Sequence, residues 1–195
     1  MRKIVGFKIQ LRAFELMRRA KKSGLALEVS QEAVQGDLDR IAKSLKPAIL
    51  FDTFGIEDPD RKVFSPVSGI AYSLILATIG EASSPLEPVS VGHETLIWEM
   101  ALEECRKFAV EIISSEAQKD SCELSPVSLL LAPEIQEAAV KKMDAGKIGM
   151  SFQDGRLTPL LSSVASLAWV SKIKKKKSKP QPVREPGAET VSAES

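Results

Sequence analysis

The sequence predicts an α+β fold: one domain over residues 1–171, followed by a disordered, lysine-rich tail over residues 172–195. Three observations carry this. Residues 93–118 hold apolar side chains at helical spacing, with Leu96, Ile97, Met100, Ala101, Cys105, Phe108, Ile112 and Ile113 on one face. The runs "AILFDTF" and "IAYSLILATIG" are apolar and rich in residues that suit strands. Asp154-Gly155 is the strongest short turn signal, because both central residues of a type I′ turn need positive φ.

The elements follow in order. Residues 2–22 set Arg2, Lys3, Arg12, Arg18, Arg19, Lys21 and Lys22 against Ile4, Phe7, Leu11, Phe14 and Met17, a spacing that predicts one basic amphipathic helix. Such a helix either docks its apolar stripe on the body or offers its basic face to an acidic partner. Ser30 is a good N-cap for a second helix with Val34, Leu38, Ile41, Ala42 and Leu45 inward, ending at Lys46-Pro47. "AILFDTF" is a strand, "GIEDPD" a turn, and "RKVFSPVSG" a short strand with a connection. "IAYSLILATIG" reads as a central strand, and "EASSPLEPVSVG" as a loop before the long helix.

Beyond that helix lies "ELSPVSLLLAPEIQ", two prolines framing an apolar run. Pro133 opens a helix to about Met143, since proline's missing N–H would have had no partner at the first helical position. "KIGMSFQDGRLTPLL" reads as a hairpin, and "SSVASLAWV" as a last short helix or a strand. From Lys172 the pattern dissolves into lysine, proline, glutamate and serine, too polar to offset the entropy of ordering it.

With 195 residues, 44% apolar and 27% charged, the composition is that of a soluble globular protein, and the net charge of +1 singles out no polyanionic partner. Neither nucleic acid nor a membrane is expected as a partner. No apolar run approaches the roughly 20 residues of a membrane helix. The first residues lack the unbroken apolar core of a signal peptide, being interrupted by Lys8, Gln10 and Arg12. Cys105 and Cys122 lack CxxC spacing, and Cys105 lies on the apolar stripe of the long helix. A reduced, cytoplasmic protein with Cys105 in its core is expected.

Catalytic constellations are sparse. His93 is the only histidine, there is no GxSxG elbow, and neither a Walker loop nor GxGxxG occurs. Gly80 follows a strand, where glycine more often ends the strand than approaches a ligand. The acidic residues fall on helix faces and read as solvated charge. No catalytic residue and no metal site is assigned.

The C-terminal third does carry a pattern. Ser125-Pro126, Pro133, Asp144-Ala145, Lys147-Ile148-Gly149, Ser151, Pro159 and Ser162 stand in an order and spacing that resemble the activation domain of cobalamin-dependent methionine synthase, and more closely its short stand-alone relatives. "KIVGF", "LKPAILFDTFGI", "LATIGE" and "LIWEMALEECRKFAVEII" look like earlier elements of that family, so the resemblance spans roughly residues 1–171. It implies a curved, largely antiparallel sheet flanked by helices. It also implies a module that docks on a corrinoid protein or corrinoid methyltransferase and supports its reductive reactivation and methylation. The corrinoid belongs to that partner.

S-adenosylmethionine is the ligand the family implies, and Ser125, Pro126, Pro133, Gly149, Pro159 and Ser162 are the matching positions. The departures argue against it. The family's loop reads Arg-x-Ser-Pro-Gly-Tyr, whereas this chain has Glu123 at the Arg position and Val127 and Ser128 at the Gly and Tyr positions. Its acidic position holds Leu130. Arg pairs with a ligand carboxylate and Glu repels it; valine cannot let a backbone approach as glycine does. Val127, Leu129, Leu130 and Leu131 are therefore expected to fill the former pocket or cover it with core. Two other readings stay open: a rebuilt S-adenosylmethionine site, and a scaffold that kept the fold without the ligand.

Overall fold

The computed structural model describes residues 1–25, 29–80 and 91–172, apart from the side chains at 91 and 92. Among the described residues six strands form one antiparallel sheet and two more a small hairpin. The strands of the sheet are β1 (Arg2–Val5), β2 (Ala48–Gly55), β3 (Ala71–Thr78), β4 (Cys122–Leu124), β5 (Ser128–Leu129) and, last among the described residues, β8 (Ser162–Ser171). The order across it is β1-β2-β3-β8-β4, with β5 also paired to β8. The hairpin is β6 (Ser151–Gln153) with β7 (Arg156–Thr158).

Alternation along the strands sorts the core onto two faces. Ile49, Phe51, Ile75, Ala77, Ala165, Leu167 and Trp169 point to one face, under α1 (Ala13–Lys22), α2 (Gln31–Ser44) and α4 (Val91–Lys119). Leu50, Tyr72, Leu74, Leu76 and Val164 point to the other, under α3 (Arg61–Phe64), α5 (Pro133–Lys142) and the hairpin. Both faces of the sheet are covered, which is why β3 reads as a nearly continuous apolar run. Two hydroxyls break the first face without penalty: Ser73 Oγ lies 2.7 Å from Thr53 Oγ1 and accepts from Trp169 Nε1 at 2.8 Å.

The α+β fold and its antiparallel sheet are as expected, and three details differ. The basic N-terminal segment is not one helix. Residues 2–5 pair with β2, Ile4 opposite Ile49, and the chain turns at Gly6 (φ +66°) before α1 begins. An apolar residue at every second or third place suits a short strand as well as a helix, so periodicity alone did not decide it. "RKVF" forms one helical turn, because the Asp60 carbonyl accepts from Val63 and Phe64 N–H while Phe64 drops into the core. The long helix starts at Val91 and ends at Lys119. Of the two readings left open for "SSVASLAWV", the strand is the one formed, and it is the most extensively paired.

Ser30 caps α2 by accepting from Ala33 N–H at 3.3 Å. At the hairpin tip Asp154 and Gly155 have φ of 50° and 77°, the geometry a type I′ turn requires. Lys172 still belongs to the body, its N–H bonded to Ser121 O at 3.2 Å. The rest of the expected tail lies outside the described residues, as does the loop expected at 81–92 apart from residues 91 and 92, which open the long helix. Among the described residues no helix is long and apolar enough to cross a membrane.

Candidate docking edge and the clamp beside it

The prolines of "ELSPVSLLLAPEIQ" and the serine before the first of them have structural assignments. Cys122–Leu124 pairs with β8 so that Leu124 stands opposite Trp169. Three rungs on along β8, Ser128 stands opposite Ser166. The register has slipped by one residue between them, which makes Ser125–Val127 a β-bulge. Proline cannot donate to a ladder, so it belongs at a bulge on an edge strand. Ser125 bridges the gap: its N–H donates to Ala168 O at 2.9 Å, and its Oγ accepts from Ala168 N–H at 2.9 Å. The serine hydroxyl takes the place of a ladder carbonyl.

The other motif positions also hold the chain. Pro133 occupies the first turn of α5. Gly149, at φ +72°, ends the 3-10 turn Ala145–Ile148, and Met150 N–H reaches back to Ala145 O. Thr158–Pro159 is a cis peptide leading into β8. Ser162 begins β8 opposite Thr78, with its Oγ buried and unpartnered among the described residues. Ser125 lies at the Ala168 rung and Ser162 six residues away along the same strand, about 20 Å at strand rise. The matching positions are thus spread over the sheet, α5 and the 3-10 turn, and Ser125 and Ser162 do not meet in one pocket.

The expected burial of the apolar run is corrected. Leu130 alone turns inward, packing on the α5 side; its N–H donates to Val164 O at 3.0 Å and its carbonyl accepts from Gln136 Nε2 at 2.9 Å. Val127, Leu129 and Leu131 are 39%, 47% and 75% exposed. Leu129 lies on the α4 side of the sheet, but at its edge the helix cover does not extend over this row, which stays exposed where helical or loop reasoning would have placed it in the core. Glu123 is exposed as well, 3.9 Å from Lys172 Nζ.

On the α5 side a clamp ties that helix to the β2–α3 turn. Lys142 Nζ lies 2.8 Å from Asp58 Oδ2 and 2.8 Å from Asp60 Oδ2, and stands 4.7 Å above the Phe54 ring. Tyr72 donates its hydroxyl to Asp58 Oδ1 at 3.0 Å, and the Asp60 N–H donates to the same oxygen. Burial alone would raise Asp58, but hydrogen bonds from Lys142, the Asp60 N–H and Tyr72 hold it below its ordinary value. Lys142 is pushed up by the two carboxylates against its own burial, and Tyr72 is pushed up by burial and by Asp58. All three move away from neutral pH, which makes them poor proton-transfer groups there. A cleft of about 630 Å³, lined by Ile56, Asp58, Arg61, Lys62, Val67 and Ser68 among others, opens beside the clamp.

Elsewhere most charges are either ion-paired or exposed. Arg19, in the basic N-terminal segment, binds Glu15 at 2.8 Å and Glu103 at 2.7 Å. His93 contacts the Leu25 carbonyl oxygen at 2.7 Å. Among the described residues no three His, Cys, Asp or Glu side chains group as a metal site. Arg106 differs. It is half-buried on α4, donates to Ser163 Oγ at 2.9 Å, and has no carboxylate within ion-pair distance among the described residues. Neither the Lys142 clamp nor Arg106 was visible in the sequence: 84 residues separate Lys142 from Asp58, and Arg106 reads as one more polar-face charge. Compared with known proteins, the sequence matches no protein-family model and no curated protein.

Proposed function

We propose that the chain is a non-catalytic docking module that binds a corrinoid protein or corrinoid methyltransferase and supports its reductive reactivation and methylation. The motif order that resembles the methionine synthase activation domain motivates the choice of partner. The observation that favours docking over ligand binding is the exposed row Val127, Leu129 and Leu131 on the motif segment itself. Apolar side chains placed side by side on a surface mark an interaction site when polar residues rim them.

Two features speak against S-adenosylmethionine at the motif. Ser125 commits both its N–H and its hydroxyl to Ala168. Glu123, at the position where the family pairs an arginine with the ligand, is an exposed carboxylate. The residues present do not fit that ligand. The corrinoid is carried by the partner, and its cobalt chemistry is the cofactor's own; this chain contributes position.

The test is calorimetry on the full chain with two titrants. A purified corrinoid methyltransferase is expected to give saturable heat, and S-adenosylmethionine at millimolar concentration none. Heat from S-adenosylmethionine with none from the corrinoid protein would overturn the reading.

A further inference from the structure

The edge formed by β4 and β5 has no strand on its outer side among the described residues. In an antiparallel ladder alternate residues turn their N–H and C=O away from the partner. Leu130 bonds to Val164 across the ladder, so Leu129 and Leu131 present their backbone groups outward. Natural edges are blunted by charge, proline or a bulge. Here the bulge and Pro126 protect only the middle of the edge, and the stretch beyond it carries leucine at both outward positions.

The side chains agree with the backbone. Leu129 stands opposite Ala165, on the face covered by α4. One step past the Leu130–Val164 bond, the register carries Leu131 beside Ser163. Arg106 reaches that same serine from α4. A guanidinium has five donors in a planar fork, and this one spends one of them on a neutral hydroxyl. An apolar edge thus ends at a half-buried cation that lacks a carboxylate.

We infer that the β5 edge accepts an extended segment of a partner protein as an added strand, apolar at alternate positions, with a carboxylate at one end that pairs with Arg106. Backbone bonds to Leu129 and Leu131 supply affinity, and the two leucines and Arg106 set register and choice of sequence. The inference rests on the docking reading above and names its surface and the chemistry of the docked segment.

The experiment selects a random dodecapeptide display library on the full chain, then measures the enriched peptides by fluorescence anisotropy. Enrichment of alternating apolar sequences with Asp or Glu near one end is expected. Leu129→Pro removes an outward N–H and replaces the leucine side chain, and proline is tolerated on an edge strand where its N–H would face out, so it is expected to retain the fold and abolish binding. Arg106→Gln is expected to weaken acidic peptides at least tenfold and neutral ones little. Leu131→Lys, at a position 75% exposed, provides a second edge variant whose folding is not in question.

Enriched peptides that bind Leu129→Pro and Leu131→Lys as well as the parent would overturn the inference. So would a concentration-dependent dimer broken by Leu129→Pro, which would make a second copy the occupant. Binding to phosphatidylcholine–phosphatidylglycerol vesicles, lost in Leu131→Lys and kept in Leu129→Pro, would assign the row to lipid and overturn it too. No corrinoid protein enters the selection, so a failed corrinoid titration leaves this outcome intact. A corrinoid protein captured equally by Leu129→Pro would keep the proposed function and move it to another surface.

Discussion

Lys142 Nζ lies 2.8 Å from Asp58 Oδ2, across 84 residues of sequence, with both side chains largely shielded from solvent. The pair fastens α5 to the turn between β2 and α3. Lys142→Met retains the aliphatic stem over Phe54 and removes the charge, leaving Asp58 shielded without its cation. A loss of about 2–3 kcal/mol is expected for such an orphaned group. Urea denaturation of Lys142→Met, Asp58→Asn and the double variant measures it, and the double variant should recover part of the loss.

The same pair sets a pH dependence. Asp58 is held below 3.8, so its contribution is present above that value and is lost as pH falls through the folded pKa. Lys142 is held above 10.5, so its share is present below that value and is lost as pH rises further. Stability from the clamp is therefore flat between these limits and declines on both sides. Asp58→Asn should flatten the acid limb in denaturation curves taken at stepped pH.

Ser125→Ala removes the acceptor of the Ala168 N–H and leaves a donor unpaired beside the bulge. About 1–2 kcal/mol of stability should be lost. Amide exchange gives the sharper readout: protection at Ala168 should fall more than at Leu167 or Trp169.

Gly69 is fixed by crowding. A Cβ there would run into the Trp169 carbonyl oxygen, a backbone atom that already accepts from Ile70 N–H. Gly69→Ala should cost about 2–3 kcal/mol, the upper range for overpacking. The thermal melt, followed by tryptophan fluorescence, should shift down by several degrees.

Cys105 is fully buried, and burial pushes its thiol up to about 12. Thiolate is the reactive form, so Cys105 should resist Ellman's reagent at pH 8 in the native protein. Its labelling should track global unfolding across a urea series.

Much of the fold was legible because it rests on local chemistry. Ser30, Pro133 and Asp154-Gly155 announce a cap, a helix start and a turn within a few residues of themselves, and each does so in the structure. The apolar runs at β2 and β3 announced buried strands because both faces of the sheet are covered. What was illegible depended on neighbours far along the chain. β1 is a strand because Ile49 stands opposite Ile4. The "SSVASLAWV" segment mixes small and apolar residues that suit helix or strand, and β3, β4 and β5 decide between them. In the motif segment the prolines were readable as breaks, but their place at a sheet edge was not. Whether Val127, Leu129 and Leu131 pointed in or out turned on that.

β8 follows β3, β4 and β5 in the chain and yet is the interior strand on which all three close. During synthesis, residues 1–161 emerge with β3 and the β4–β5 segment lacking their common neighbour. The nascent chain can form α2, α4 and the β1–β2–β3 meander, but the two halves of the sheet can join only when residues 162–171 appear. Pairings this distant are slow to form and leave apolar edges bare meanwhile. Truncation within β8 should therefore leave an aggregation-prone chain, and ribosome-bound intermediates of this protein should be clients of holding chaperones until β8 is delivered.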